Sequence, residues 1–242
     1  MPAIITDLEK LNVAAEPLIF IDKDGQHLEE GKEIIRQLHE LLEVDANLMA
    51  ISAPQIGIEK RIFCIKFNDE IKTFINPIIT KKSDYKIVTE TCSSMPGKEI
   101  LITRPEMITV VYHNGEFKYE DNKLLGPAAR LFDQQIQFLD GVTPAELGLI
   151  SDIEQDGSLM DLTEEELTQV ITIYKQFIAA KVKSLEATIS EDAELKDQYK
   201  QLKFTEGVIN DRIQVIREDP EIKQNRAQRR AANKNKKKVS RN

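Results

Sequence analysis

Histidine, cysteine and long apolar runs are all scarce in this chain of 242 residues. The three histidines, His27, His39 and His113, stand apart, with none of the short spacings that bring two imidazoles to one metal ion. The two cysteines, Cys64 and Cys92, lie in different contexts, which makes a reducing compartment the default. No run of roughly eighteen apolar residues occurs, so no membrane-spanning helix is expected, and the N-terminus shows no basic-then-apolar signal pattern.

What is present is a charge-rich globular composition, 41 % apolar and 31 % charged, long enough for one good-sized core or a core plus an appendage. The net charge of −8 conceals an asymmetry. Residues 223–242 hold nine Lys/Arg, among them Arg229, Arg230, Lys236, Lys237 and Lys238, and no acid. Taking those nine from the 33 basic residues leaves 24 against 41 acidic ones, a body near −17. A basic tail on an acidic body suits either contact with nucleic acid or an acidic protein surface, or a solubilising end. It lacks core-forming residues and is expected to be disordered unless bound.

The pattern along the chain predicts its elements. Residues 1–27 read as a loop and a short strand. Leu28, Ile34, Ile35, Leu38, Leu41 and Leu42 form a helical stripe. His39 within it reads as a packing or surface residue. Arg61–Phe67 and Lys72–Ile79 read as strands, with Cys64 a small core residue. Thr109–Glu120 reads as two strands around a tight Asn114-Gly115 turn, with His113 exposed beside it. Ala129–Val142 has the periodicity of a helix buried on much of its surface, stopped by Gly141. Gln134, Gln135 and Gln137 lie in its middle, and amides buried there need hydrogen-bond partners.

After Gly148 the composition changes. Thr163 to Glu166 is a capping box before the apolar positions Leu167, Val170, Ile171, Tyr174, Phe177, Ile178, Val182 and Leu185, which predict a helix to about residue 187. A second helix is expected from a Ser190 cap to about Asp219, with Gly207 as a kink point and Pro220 as the stop. The two make an antiparallel hairpin, whose stripe either packs on its own domain or binds a partner or a second copy. The divisions expected are 1–148, a hairpin extension at 149–222 and the tail at 223–242.

Three segments resemble the signatures of peptide deformylases, metal-dependent hydrolases that remove the formyl group from new bacterial proteins. Ala53-Pro54-Gln55-Ile56-Gly57 resembles the first, although Leu48 and Ala50 replace two glycines of the family pattern. Glu90-Thr91-Cys92-Ser93-Ser94-Met95-Pro96-Gly97 resembles the second. Gln134-Gln135-Ile136-Gln137-Phe138-Leu139-Asp140-Gly141 occupies the frame of the third, His-Glu-x-Asp-His-Leu-x-Gly. Asn76-Pro77 and Arg104-Pro105-Glu106 fall between them in family order. The resemblance covers roughly residues 1–145 and implies an α+β fold, antiparallel strands around a central buried helix. Cys92 then matches a thiolate ligand, Gln55 an oxyanion-stabilising glutamine, and Glu90 and Arg104 a structural salt bridge. The two histidine ligands become Gln134 and Phe138, and the general base becomes Gln135.

These substitutions lead to an expectation of a non-catalytic deformylase-like scaffold. It would hold no metal or cofactor, with Gln55, Cys92, Gln134, Gln135 and Phe138 as vestigial positions. On analogy alone, such a protein suits a structural or assembly role in a tailed phage, in the tail or baseplate, with a virion or cytoplasmic location. Partners would be proteins at the 163–219 hairpin, and nucleic acid or an acidic surface at the tail, with no membrane. The alternatives are a ribosome- or RNA-associated factor that uses the tail, and a rebuilt hydrolase in which Cys92 is exposed with a lowered pKa.

Overall fold

The computed structural model describes all residues except 1, 20–25, 68–69, 189–192, 211–214 and 217–242. Its spine is a pair of long antiparallel strands, β3 (Glu70–Glu90) and β4 (Lys98–His113), in register from Ile75↔His113 to Glu90↔Ile100. Two register shifts interrupt them near Asn76 and Thr80. Asn76 sits at φ 47°, a left-handed conformation that asparagine tolerates. Its side chain accepts from Leu18 N and donates to Leu18 O, both at 2.8 Å, which ties the N-terminal segment to the sheet.

Around this pair the sheet runs β1-β2-β3-β4-β5, all antiparallel, with β1 at Ala50–Ser52, β2 at Ile62–Phe67 and β5 at Tyr119–Leu125. Helix α1 (Gln26–Val44) places Ile34, Leu38, Leu41 and Leu42 against Ile51, Ile62, Cys64 and Ile75. Helix α2 (Gly126–Leu139) lies on the sheet and packs Phe132, Ile136 and Leu139 against Phe63, Phe74, Ile108 and Val110. The rings of Phe63, Phe74 and Phe132 meet edge-on or tilted with centroids 4.9–5.0 Å apart. Gly141 follows α2 at φ 71°, and a Cβ there would lie 2.8 Å from the backbone of Val13 and Ala14, so both conformation and space require glycine.

Beyond α2, the short α3 (Pro144–Leu147) leads into β6 (Leu149–Asp152), which pairs with the start of β4 at Lys98–Leu101. The one-turn α4 (Ile153–Asp156) follows. Helix α5 (Glu164–Thr188) begins at the expected box, with Glu166 accepting from the backbone and hydroxyl of Thr163 at 2.8 and 2.7 Å. Helix α6 (Ala193–Asn210) returns beside it. Tyr174, Ile178, Val182 and Leu202 are buried in one cluster with Ile87, Ile100, Leu101 and Leu147, so the stripe packs on its own domain. Phe204 meets the ring of Tyr85 with centroids 5.0 Å apart.

Three local expectations need correction. The strands around Asn114 are joined by a longer loop, because β4 ends at His113 and β5 begins at its partner Tyr119. Asn114 Oδ1 accepts from the N–H groups of Glu116 and Lys118, which widens the turn, and the left-handed residue is Phe117 (φ 61°). His113 is half-buried, its ring against Tyr119. The second helix stops at Asn210, and Val215–Ile216 instead form β7, parallel to β3 at Ile87 and Val88. The Ser190 cap and the basic tail lie outside the described residues. Among the described residues no helix is long and apolar enough to cross a membrane.

Candidate functional site

The three signature segments meet where β1, the β3–β4 turn and α2 converge. From the first comes a single 3-10 turn, Ala53–Ile56, closed by Gly57 at φ 84°. Gln55 is fully buried there. Its Oε1 accepts from the N–H and hydroxyl of Ser52, both at 3.0 Å, which fixes the amide's orientation. Nε2 therefore faces the second segment and donates to Ser94 Oγ at 3.0 Å and Ser93 Oγ at 3.2 Å, with Cys92 Sγ at 3.9 Å.

Cys92 is buried in the turn between β3 and β4 and belongs to the same apolar cluster as Met95 and Phe138. Burial is the main cause that pushes its thiol up to about 11, and the Glu90 carboxylate adds to it. The group is a thiol at neutral pH, and the exposed, acidified cysteine that a rebuilt hydrolase requires is not what the structure shows. Leu48 and Ala50, in place of the family glycines, are buried side chains.

Helix α2 supplies the third segment, and its amides are wired in sequence. Gln134 Nε2 donates to Glu90 Oε1 at 3.0 Å and lies 3.5 Å from Thr91 O. Gln135 Nε2 donates to Gln134 Oε1 at 3.2 Å. Gln135 Oε1 is buried and has no hydrogen-bond partner among the described residues. Phe138, one turn after Gln134, is fully buried in the apolar cluster.

Below these amides lies an ionic group. Arg104 is fully buried and donates twice to Glu90, through Nε at 2.9 Å and Nη2 at 2.5 Å. Its Nη1 donates to Asp133 Oδ2 at 2.9 Å and Gln137 Oε1 at 2.7 Å. Lys82 Nζ reaches Asp133 Oδ1 at 2.6 Å. Burial alone would lower the Arg104 pKa, but the carboxylates of Glu90 and Asp133 hold it above the ordinary value. Burial alone would raise Asp133, but Lys82 and Arg104 hold it below the ordinary aspartate value. Sequence reading missed Asp133 and Lys82. An acid inside a helix with so little exposed surface was the available signal for the first.

On the far side of β4, Tyr174 of α5 accepts from Thr103 N at 3.1 Å and donates to Leu147 O at 3.1 Å. One residue along, Arg104 faces α2, as the two-residue alternation of a strand dictates. The hairpin thus supports the strand that carries the ionic group.

The resemblance implies a divalent ion on one thiolate and two imidazoles with an open position for water. Gln134 and Phe138 stand at the imidazole positions. His39 bonds to Thr73 Oγ1 at 2.9 Å, and His113 meets Tyr119. Among the described residues, no three His, Cys, Asp or Glu side chains come together as a metal site. The donor set does not fit the family's ion.

The family model described as "Polypeptide deformylase" matches residues 10–147, more than half of the chain. The peptide deformylase of Natranaerobius thermophilus is 37 % identical over 101 residues, covering 41 % of this chain and 65 % of its own length. Peptide deformylase 2 of Clostridium acetobutylicum is 32 % identical over 118 residues, covering 48 % of this chain and 77 % of its own. Among solved structures, a probable peptide deformylase from Synechococcus phage S-SSM7 is 28 % identical with a TM-score of 0.54, over 61 % of this chain and 99 % of the other. The peptide deformylase of Thermotoga maritima gives the same identity and TM-score, over 61 % and 97 %.

These findings correct the functional expectation. The relatives carry the name of an enzyme, and this overturns the non-catalytic scaffold reading. The phage neighbour also bears a deformylase name, not that of a tail or baseplate component, so the structural-protein reading falls with it. By the extent of the match and the shared fold, the chain belongs to the polypeptide deformylase family.

Proposed function

We propose that the protein hydrolyses N-formylated peptide ends, water adding to the formyl carbon as its C–N bond breaks to give formate and a free amino terminus, the reaction for which its relatives are named. The observation that carries this reading is the convergence of the three signature segments, within a family match over 10–147. Gln55, held by Ser52, donates from Nε2 to Ser93 and Ser94 beside Cys92, and an acyl oxygen that displaces one of these hydroxyls would take over its donor. Such donors stabilise charge that develops on an acyl oxygen. Cys92 stays protonated and acts as a neutral wall of the site. Gln135 cannot take a proton near neutral pH and works through hydrogen bonding alone. Both cysteines are free, in keeping with a cytoplasmic, reducing location.

The test is formate release from formyl-Met-Ala-Ser by the full chain purified without chelator. Turnover in the parent and a loss on the order of hundredfold in Gln55→Ala are expected, the magnitude of losing an oxyanion donor. A parent protein that releases no formate above the protein-free control overturns the proposal.

A further inference from the structure

Strand β5 closes one side of the sheet, and among the described residues no strand pairs with its outer edge. Its register with β4 runs unbroken from Met107↔Leu125 to His113↔Tyr119. Just before it, Asn114 N donates to Lys118 O at 2.9 Å, so the peptide groups of Lys118 face β4. Alternation then turns those of Glu120, Asn122 and Leu124 toward β4, and those of Tyr119, Asp121, Lys123 and Leu125 toward the open edge. Side chains alternate as well, between the two faces of the sheet. Tyr112 Oη donates to Glu120 and accepts from Asn122, and Leu124 packs on the core, so the four odd-numbered residues share the outer face. Tyr119 and Leu125 are 64 % and 59 % exposed. Between them stand Asp121 and Lys123, both exposed and in no ion pair among the described residues.

We propose that this edge is a self-association surface, on which β5 pairs antiparallel with β5 of a second copy of the chain about a two-fold axis at Asn122. In that register Asp121 lies opposite the second copy's Lys123 and Tyr119 opposite its Leu125. Each contact occurs twice, as a two-fold interface requires. Opposite charges and aromatic–aliphatic pairs are the cross-strand neighbours that stabilise antiparallel sheets. The charges also select the register. A two-residue slip in either direction sets Asp121 against Asp121 or Lys123 against Lys123, and a one-residue slip sets outward peptide groups against inward ones. A lysine on an edge strand ordinarily repels a second copy. Here the aspartate two residues before it makes the same lysine half of a matched pair. Seven residues cover less area than a permanent dimer needs, so the association is reversible and depends on concentration.

The test is sedimentation velocity on the full chain at low ionic strength, at concentrations up to about 0.1 mM. The parent should show a monomer–dimer equilibrium that weakens as salt is added. Asp121→Lys and Lys123→Asp should each lower the association constant about tenfold, since either change sets two like-charge pairs across the axis. An equimolar mixture of the two variants should dimerise as the parent does, because each then meets opposite charges in the same register. The double variant carrying both changes should dimerise with itself for the same reason. Recovery on mixing also shows that the single variants are folded, since a misfolded chain offers no strand to complement. A parent that stays monomeric over the whole range overturns the proposal. So does a dimer that both single variants leave intact, which would put the contact on another face, and so does a loss that mixing fails to restore.

Discussion

Two polar clusters share helix α2, and they satisfy their buried atoms in opposite ways. The ionic one sets Arg104 and Lys82 against Glu90 and Asp133, two charges of each sign, with Gln137 as a further acceptor. The amide one sets the Gln55 side chain on the Cys92–Ser94 turn and links Gln134 to Gln135, carries no formal charge of its own, and leaves one oxygen unpaired among the described residues. The first cannot lose a member without stranding a charge, whereas the second can lose one for the smaller cost of a neutral group. In this chain, charge ties the strand to the helix, and neutral dipoles line the place where the signature segments meet.

That contrast can be broken most forcefully at Arg104. Arg104→Met strands Glu90 and leaves Asp133 to Lys82 alone, and should cost about 3–5 kcal/mol in chemical denaturation. A loss no larger than that of a surface substitution would remove the distinction between the clusters. A neutral bond on the opposite side of β4 sets the next scale. Tyr174→Phe leaves Thr103 N–H and Leu147 O without their partner and should cost about 1–3 kcal/mol by the same measurement.

Acid should separate the clusters further. Asp133 has a folded pKa below its ordinary 3.8, so its contribution is fully present above that value and is lost as pH falls through the folded one. Denaturation midpoints should decline from about pH 5 to about pH 2, and Asp133→Asn should remove part of that slope, since the unfolded chain would no longer gain a proton there. Equal slopes in both proteins would remove Asp133 from the cluster's acid sensitivity. The mildest probe is alkylation of Cys92. A thiol raised from 9.0 to about 11 holds roughly a hundredfold less thiolate at neutral pH than an ordinary cysteine. Iodoacetamide should therefore label native protein slowly, at a rate still climbing above about pH 9; full labelling within minutes at neutral pH would show that the site is open and the thiol acidic.

The sequence showed the scaffold more readily than the wiring. The stripes of α1 and α5 were legible because one wet face and one dry face impose a helical period on apolar residues. The signature segments were legible because Ala53–Gly57 and Glu90–Gly97 must make tight turns of fixed composition. The pairings of Asp133, Lys82 and Tyr174 were not, since each acts across the fold. Asp133 meets Arg104, 29 residues earlier, and Tyr174 meets Thr103, 71 residues earlier. No local pattern records such pairings. The Asn114-Gly115 signal failed for a different reason, because the Asn114 side chain competes for the backbone donors that a two-residue turn would leave free. The partners of the three helix glutamines were foreseen as a need, but which one would stay open was visible only in three dimensions.

Arg104 Nη1 reaches both position 133 and position 137 of α2, one helical turn apart. The family pattern writes an acid at 137; this chain writes an amide there and the acid at 133. The guanidinium accepts either lettering because both side chains arrive at the same nitrogen. An acid at either position would leave the cluster with two charges of each sign, so the carboxylate can sit on either turn of the helix without changing what Arg104 and Lys82 must balance.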